Sequence, residues 1–188
     1  MPTKIQGGLG IDKVQDGTVG VSDVDTELYG KFFGNLNFEN YMHVRDEPPS
    51  GTIGGTATGG TWHTRNLNNV LYNTISGATL NLNQIILPSG TYYIKASAPA
   101  SLVNRHRIGL YNIQLASFIL LGTSSFSPST GGDNSRSYIN GVLSLSSSSN
   151  IEIRHYVTTT YATNGLGHPA SITGMNEVYS EVEIWKIG

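Results

Sequence analysis

The sequence predicts an all-β domain, an antiparallel sandwich or jelly roll, behind an extended N-terminal segment. Three observations predict it. Helical spacing of apolar residues is nearly absent. Short runs of β-branched and aromatic residues recur instead, divided by Gly, Pro, Asn and Ser clusters. Within those runs apolar residues mostly alternate, so each strand buries one face, as antiparallel sheets do.

The elements follow in order. Residues 65–75 hold Leu67, Val70, Leu71 and Ile75 at spacings a helix could use. Asn66, Asn68, Asn69 and Asn73 are poor interior helix formers, so a strand or irregular segment is an equal expectation. Residues 78–83 alternate, and residues 84–87 run into the turn signal Pro88-Ser89-Gly90. Residues 91–97 set Tyr92, Ile94 and Ala96 on one face. Residues 105–114 carry Ile108 and Leu110, and residues 117–122 are apolar. Residues 136–145 set Ile139, Leu143 and Leu145 against Val142. Residues 150–158 alternate Ile151, Ile153, His155 and Val157 against Glu152, Arg154 and Tyr156. Residues 177–187 alternate Val178, Ser180, Val182 and Ile184 against Tyr179, Glu181, Glu183 and Trp185.

The domain is therefore expected over residues 61–188. Residues 1–50 read differently. Gly7, Gly8, Gly10 and Gly17 interrupt any regular element, and Ile5, Leu9, Ile11 and Val14 stand singly. Such a segment buries no core of its own and is expected to lie on another surface, with those four residues as its attachment contacts. Phe32, Phe33, Leu36, Phe38, Tyr41 and Met42 form a denser cluster, expected to serve docking or trimerisation. Residues 51–60, with Gly54, Gly55, Gly59 and Gly60, read as a linker; the alternative is that they belong to the domain's first strand region.

Charged residues make up only 13% of the chain, against about 25% in ordinary soluble domains. The surface must then be built from Ser, Thr, Asn, Gly and Tyr. Net charge is -2 and no basic run exists, which excludes a nucleic-acid partner. The one basic cluster, Arg105-His106-Arg107, reads as a polar strand end. The chain has no cysteine, so disulfides, thiolate metal sites and cysteine nucleophiles are excluded. The N-terminus lacks the apolar core of a signal peptide, and no stretch reaches the roughly 18 apolar residues of a membrane helix. A protein made in a cytoplasm and released by lysis, without membrane insertion, is the expectation.

Nothing in the sequence points to catalysis. The histidines at 43, 63, 106, 155 and 168 lack the i, i+4 spacing of a zinc helix. His106 and His155 could meet only through folding, and core or interface hydrogen bonding is the expected role. Glu181 and Glu183 share a strand face with Tyr179 and Trp185. Paired carboxylates could serve hydrolysis or calcium, but an interface stripe that repels wrong partners is preferred. Asp12, Asp16, Asp23 and Asp25 lack the EF-hand frame. No nucleophile elbow or phosphate loop occurs, so no catalytic residue, metal or cofactor is expected. Two long polar loops remain, residues 123–135 and 158–173. Their Ser129, Asp133, Asn134, Tyr161, Asn164 and His168 are the expected ligand contacts, because Tyr, Ser, Gly and Asn give adaptable contacts on a rigid scaffold.

From about Gly55 onward the chain resembles a C-terminal domain of tailed-bacteriophage tail-fibre and virion proteins. The resemblance is carried by Gly60-Thr61-Trp62-His63-Thr64-Arg65-Asn66-Leu67-Asn68 and by Ile85-Ile86-Leu87-Pro88-Ser89-Gly90-Thr91-Tyr92-Tyr93-Ile94. Further on it rests on Ser97-Ala98-Pro99-Ala100, Arg105 to Tyr111, Ile153-Arg154-His155-Tyr156 and Glu177 to Lys186. That domain is similar to the jelly rolls of the C1q and tumour-necrosis-factor type. The resemblance implies a homotrimer, with Tyr92, His155, Tyr179 and Trp185 as expected interface residues. It also implies that the N-terminal segment holds the domain on another phage structural protein. The implied role is a virion tail fibre or receptor-binding knob that contacts a host-surface glycan or protein. A capsid head fibre, spike or decoration protein is the alternative. A glycan-degrading enzyme is disfavoured by the lack of a carboxylate pair in an aromatic cleft. A host-type C1q-like lectin is disfavoured by the missing signal peptide and disulfides.

Overall fold

The computed structural model describes residues 38–131 and 134–188. The expected attachment residues Ile5, Leu9, Ile11 and Val14, and the loop residue Asp133, lie outside the described residues. After a single 3-10 turn at Phe38–Asn40 come the strands β1 (Tyr41–Arg45), β2 (Trp62–Thr64), β3 (Asn69–Asn73), β4 (Thr79–Asn81), β5 (Gln84–Leu87) and β6 (Gly90–Ser101). They are followed by β7 (Asn104–Asn112), β8 (Ser117–Leu121), β9 (Ser125–Ser127), β10 (Asn134–Leu145), β11 (Ser149–Val157) and β12 (Glu181–Lys186).

Two antiparallel sheets form. One has the order β10-β6-β12-β1-β3; the other runs β4-β5-β11-β7-β8, with β2 beside β11 and β9 beside β7. The chain crosses between sheets at every connection except β4 to β5, β7 to β8 and β8 to β9, which winds the sandwich into a jelly roll. The expected alternation is what closes it. Met42, Val44, Tyr92, Ile94, Val182 and Ile184 from the first sheet meet Ile85, Leu87, Ile108, Leu110, Ile151 and Ile153 from the second. Each such side chain contributes about 1.5–3 kcal/mol by leaving water.

Local chemistry sets the turns. Leu82 and Asn83 both have positive φ, at 47° and 68°, in the two-residue connection between β4 and β5. That is the backbone of a tight hairpin whose twist matches its strands. Residues 65–75, ambiguous in sequence, resolve as strand β3 flanked by the buried Leu67 and Ile75.

Two boundaries move. Strand β1 lies N-terminal to residue 50, yet it pairs with both β12 and β3. Tyr41 and Met42 thus belong to the sandwich and not to a separate N-terminal segment. Residues 51–60 are not a free linker either. Ala57 is fully buried and exchanges backbone hydrogen bonds with Tyr161. A Cβ added to Gly54 would stand 2.7 Å from the Leu166 carbonyl oxygen, and one on Gly59 would stand 2.8 Å from that of Thr158. The glycines are there because another backbone passes against them.

The last strand begins late, at Glu181. Before it, the Glu177 carboxylate accepts backbone N–H bonds from Gly51, Ala170 and Ser171 and gathers three chain segments into a knot. The knot resets the phase of the alternation, so Val178 is exposed and Tyr179 is buried, the reverse of the expected pattern.

Candidate assembly face and ligand loops

The outward face of the five-stranded sheet carries a row of aromatic side chains. Register alone builds it. Tyr41 on β1, Trp185 on β12, Tyr93 on β6 and Val142 on β10 are successive cross-strand neighbours in one row. The rings touch: Tyr41 and Trp185 centroids are 4.9 Å apart, Tyr93 and Trp185 5.6 Å, and Tyr41 and Tyr72 6.1 Å. Val142 is 55% exposed and Tyr72 48%, so the row ends in open apolar surface at both sides.

A charged row runs beside it: His43, Glu183, Lys95 and Asn140 are again cross-strand neighbours. The Tyr41 hydroxyl donates to Glu183 Oε1 at 2.8 Å, and His43 Nε2 lies 2.8 Å from Glu181 Oε1. Lys95 Nζ sits 5.7 Å from the Trp185 ring centre, within cation–π range. Burial, then the Glu183 hydrogen bond and the negative charge of Glu183 and Glu181, hold the Tyr41 phenol protonated far above its usual range. Between β6, β10 and β12 the face dips into a groove of about 390 Å³ lined by Lys95, Tyr138, Asn140, Glu181 and Glu183. Glu181 and Glu183, paired in sequence, each hold a different partner on this face.

Of the four expected interface residues, only Trp185 lies here. Tyr92, His155 and Tyr179 point inward and are buried within the subunit. Tyr92 donates its hydroxyl to the Pro88 carbonyl, and Tyr179 donates to that of Thr52. His155 meets His106 across 2.9 Å, Nε2 to Nδ1. Tyr92 and His155 occupy the inner of their strands' two faces, and Tyr179, ahead of β12, is turned inward by the Glu177 knot. On this face also stand Tyr72, Tyr93, Tyr138 and Val142, which the sequence did not single out for assembly, and Tyr41, which it placed in the docking or trimerisation cluster. The signal was present for Tyr93, the opposite-face neighbour of Tyr92 and Ile94.

The two histidines of the core do converge. His106 Nε2 also lies 2.8 Å from Ser135 Oγ of the opposite sheet, and both rings lie near the fully buried Arg65. Arg65 Nε donates to Ser180 Oγ at 2.9 Å. Burial, then the Arg65 charge, pushes His106 down to about 4 and holds His155 well below the ordinary imidazole range. Among the described residues no group of three or more His, Asp or Glu is placed to hold a metal.

The two polar loops meet at one end of the sandwich. Asn134 Nδ2 donates to the His168 carbonyl, and the His168 N–H donates to Asn134 Oδ1. Asn104 ties the loops from below: its Oδ1 accepts the Ser129 N–H and its Nδ2 donates to Thr159 Oγ1. Ser129, Asn134 and His168 are exposed, while Tyr161 and Asn164 are half buried. Tyr161 packs on the small core of Ala57, Ala100, Val103, Val157 and Leu166 beneath the loops.

No family model and no curated protein sequence matches the chain. Solved structures do. Eiger, a tumour necrosis factor from S. frugiperda, aligns over 79% of this chain and 92% of its own, with a TM-score of 0.53 and 13% identity. The fold is the tumour-necrosis-factor jelly roll. Murine APRIL at pH 5.0 aligns over 79% of this chain and 98% of its own, with a TM-score of 0.52 and 9% identity. The globular domain of the zebrafish complement 1qA protein aligns over 80% and 98%, with a TM-score of 0.48 and 13% identity. At these identities the jelly roll is shared as architecture, and the side chains on its faces are this chain's own.

Proposed function

We propose that the chain is a non-enzymatic homotrimeric binding module, carried on a tailed-phage virion and contacting the host surface. The observation that carries the assembly half is the aromatic row on the five-stranded sheet. Tyr72, Trp185, Tyr93 and Val142 form an outward band joined through the buried Tyr41 ring, and Tyr138 stands 54% exposed nearby. Contiguous exposed aromatic surface on one sheet face is what a subunit hides against its copies. The charged row beside it sets orientation: Lys95 among Glu181 and Glu183 supplies both signs on one surface, so copies can match them about a symmetry axis. The tumour-necrosis-factor architecture and the sequence resemblance to phage fibre domains support the three-fold and the virion setting.

The attachment role falls to residues 1–37, which precede the sandwich. The host-contact role falls to the surfaces the trimer leaves free, including the joined loops with Asn134 and His168. Gold-labelled antibody against the chain, applied to intact particles of the encoding phage, is expected to mark discrete sites on the tail. Labelling of the head instead would reassign the module to capsid decoration. A chain of residues 38–188 is expected to fold and to compete no longer for particle attachment; normal decoration by it would remove the attachment role from the N-terminal segment.

A further inference from the structure

The opposite sheet holds a second feature, separate from the aromatic row and from the loops. On its outer face, Trp62 of β2, Tyr156 of β11 and Arg107 of β7 are cross-strand neighbours in one row. Arg105, two residues earlier on β7, points to the same side. With Ser124 and Thr158 these residues line a cleft of about 400 Å³, inside the range of small-molecule sites. Trp62 is 39% exposed and stands 5.4 Å from the Tyr156 ring, so the floor presents aromatic faces to solvent. Its pose is braced from behind by Phe118, 4.2 Å away. Phe118 can lie there because position 109 is glycine: a Cβ on Gly109 would stand 2.7 Å from the Phe118 ring.

The charge is one-sided. The cleft holds two of the chain's 11 Lys and Arg side chains and no carboxylate. Among the described residues neither arginine forms an ion pair. Arg107 is held by one hydrogen bond, Nη2 to Ser124 Oγ at 2.8 Å, while its Nε–H is buried without an acceptor. A guanidinium held by one neutral hydrogen bond and by no ion pair keeps its remaining Nη donors for a carboxylate. The next arginine on this face, Arg154, is already committed: it bonds Glu152 Oε2 at 3.0 Å and lies over the Tyr111 ring. The positive charge is therefore a spot and not a track. That fits one acidic group better than a nucleic-acid backbone, which needs a continuous basic groove.

We propose that this cleft binds a carboxylate-bearing sugar unit of a surface polysaccharide. The flat C–H face of the ring lies on Trp62 and Tyr156, and its carboxylate meets Arg107 and Arg105. The inference names a ligand class for the host-surface contact and rests on that reading for its biological setting. The cleft itself is complete within one chain, so binding is measured apart from attachment or assembly.

The test titrates the full chain with trigalacturonate and with sialyllactose, and with the methyl ester of each. Ester formation keeps the rings and removes the charge. At least one acid is expected to bind about tenfold tighter than its ester. Arg107→Gln and Arg105→Gln are expected to weaken that acid about fivefold each at unchanged melting temperature. Trp62→Phe is expected to remove the ligand-induced change in tryptophan emission, because Trp185 lies on the other sheet. The proposal is overturned if neither acid binds at about 10 mM, if acid and ester bind alike, or if both arginine variants bind as the parent does. Tighter binding of a thymidine decanucleotide than of either sugar overturns it too. Sugar binding by particles from which the chain is absent would sink the host-contact reading and leave the cleft untouched.

Discussion

His106 and His155 sit neutral inside the sandwich, facing Arg65, Ser135 and each other. In the unfolded chain they titrate near 6.5; folded, His106 titrates near 4. Between those values the unfolded state binds more protons, so stability rises with pH. Their contribution is full above about pH 6.5 and is lost as pH falls toward 4. Melting temperature is expected to fall steeply over that window, and His106→Gln is expected to flatten the fall. A parent protein whose melting temperature holds flat from pH 7 to 4 would contradict the buried pair. Composition could not foretell this arrangement, because it needs Ser135 to arrive from the other sheet. The sequence set His155 on the apolar face of its strand but could not show that His106 would meet it.

At the scale of elements, the packed 51–60 segment and the row across β12 make separate predictions. Gly54→Ala would press a methyl group against three backbone atoms of residues 166 and 167. It is expected to cost about 2 kcal/mol in denaturant unfolding. Alanine in a free linker would be neutral or slightly stabilising, so a null result would restore the linker. Val142→Glu places a charge at an exposed end of the aromatic row and touches little of its own chain. It is expected to dissociate the assembly while leaving the subunit's melting transition within about 0.5 kcal/mol.

The strands themselves were legible. Alternation at 91–97, 136–145 and 150–158 reappears as β6, β10 and β11, since period two survives whenever a strand has one wet and one dry face. What alternation cannot tell is which outer face serves assembly. Tyr92 shares its face with Ile94 and Ala96, and Tyr93 shares the other with Lys95 and Ser97, so the pattern marked Tyr92 as inner but did not mark the Tyr93 face for assembly. Tyr179 was misplaced for a different reason: its phase is set by Glu177, which takes its hydrogen bonds from Gly51 and from the 170–171 turn. Such long-range capture leaves no local pattern. The loops were half legible. Asn134 and His168 do meet, but the cleft on the seven-stranded sheet was read as a plain strand end, because Trp62 and Arg107 become neighbours only through β11.

For the whole molecule, the two faces of the sandwich divide the work. The five-stranded sheet offers the aromatic seam, and the seven-stranded sheet keeps the Trp62–Arg107 cleft open to solvent. Three copies would then present three clefts outward, and weak sugar contacts would add through multivalency. This division requires that the subunit associate with itself through β12, β6 and β10. The mass of the full chain in native solution tests it most directly. The expected mass is three times the 20.2 kDa of one chain, falling to a single chain in Val142→Glu. A stable 20.2 kDa monomer at micromolar concentration, with Tyr93 and Trp185 open to solvent, would contradict it.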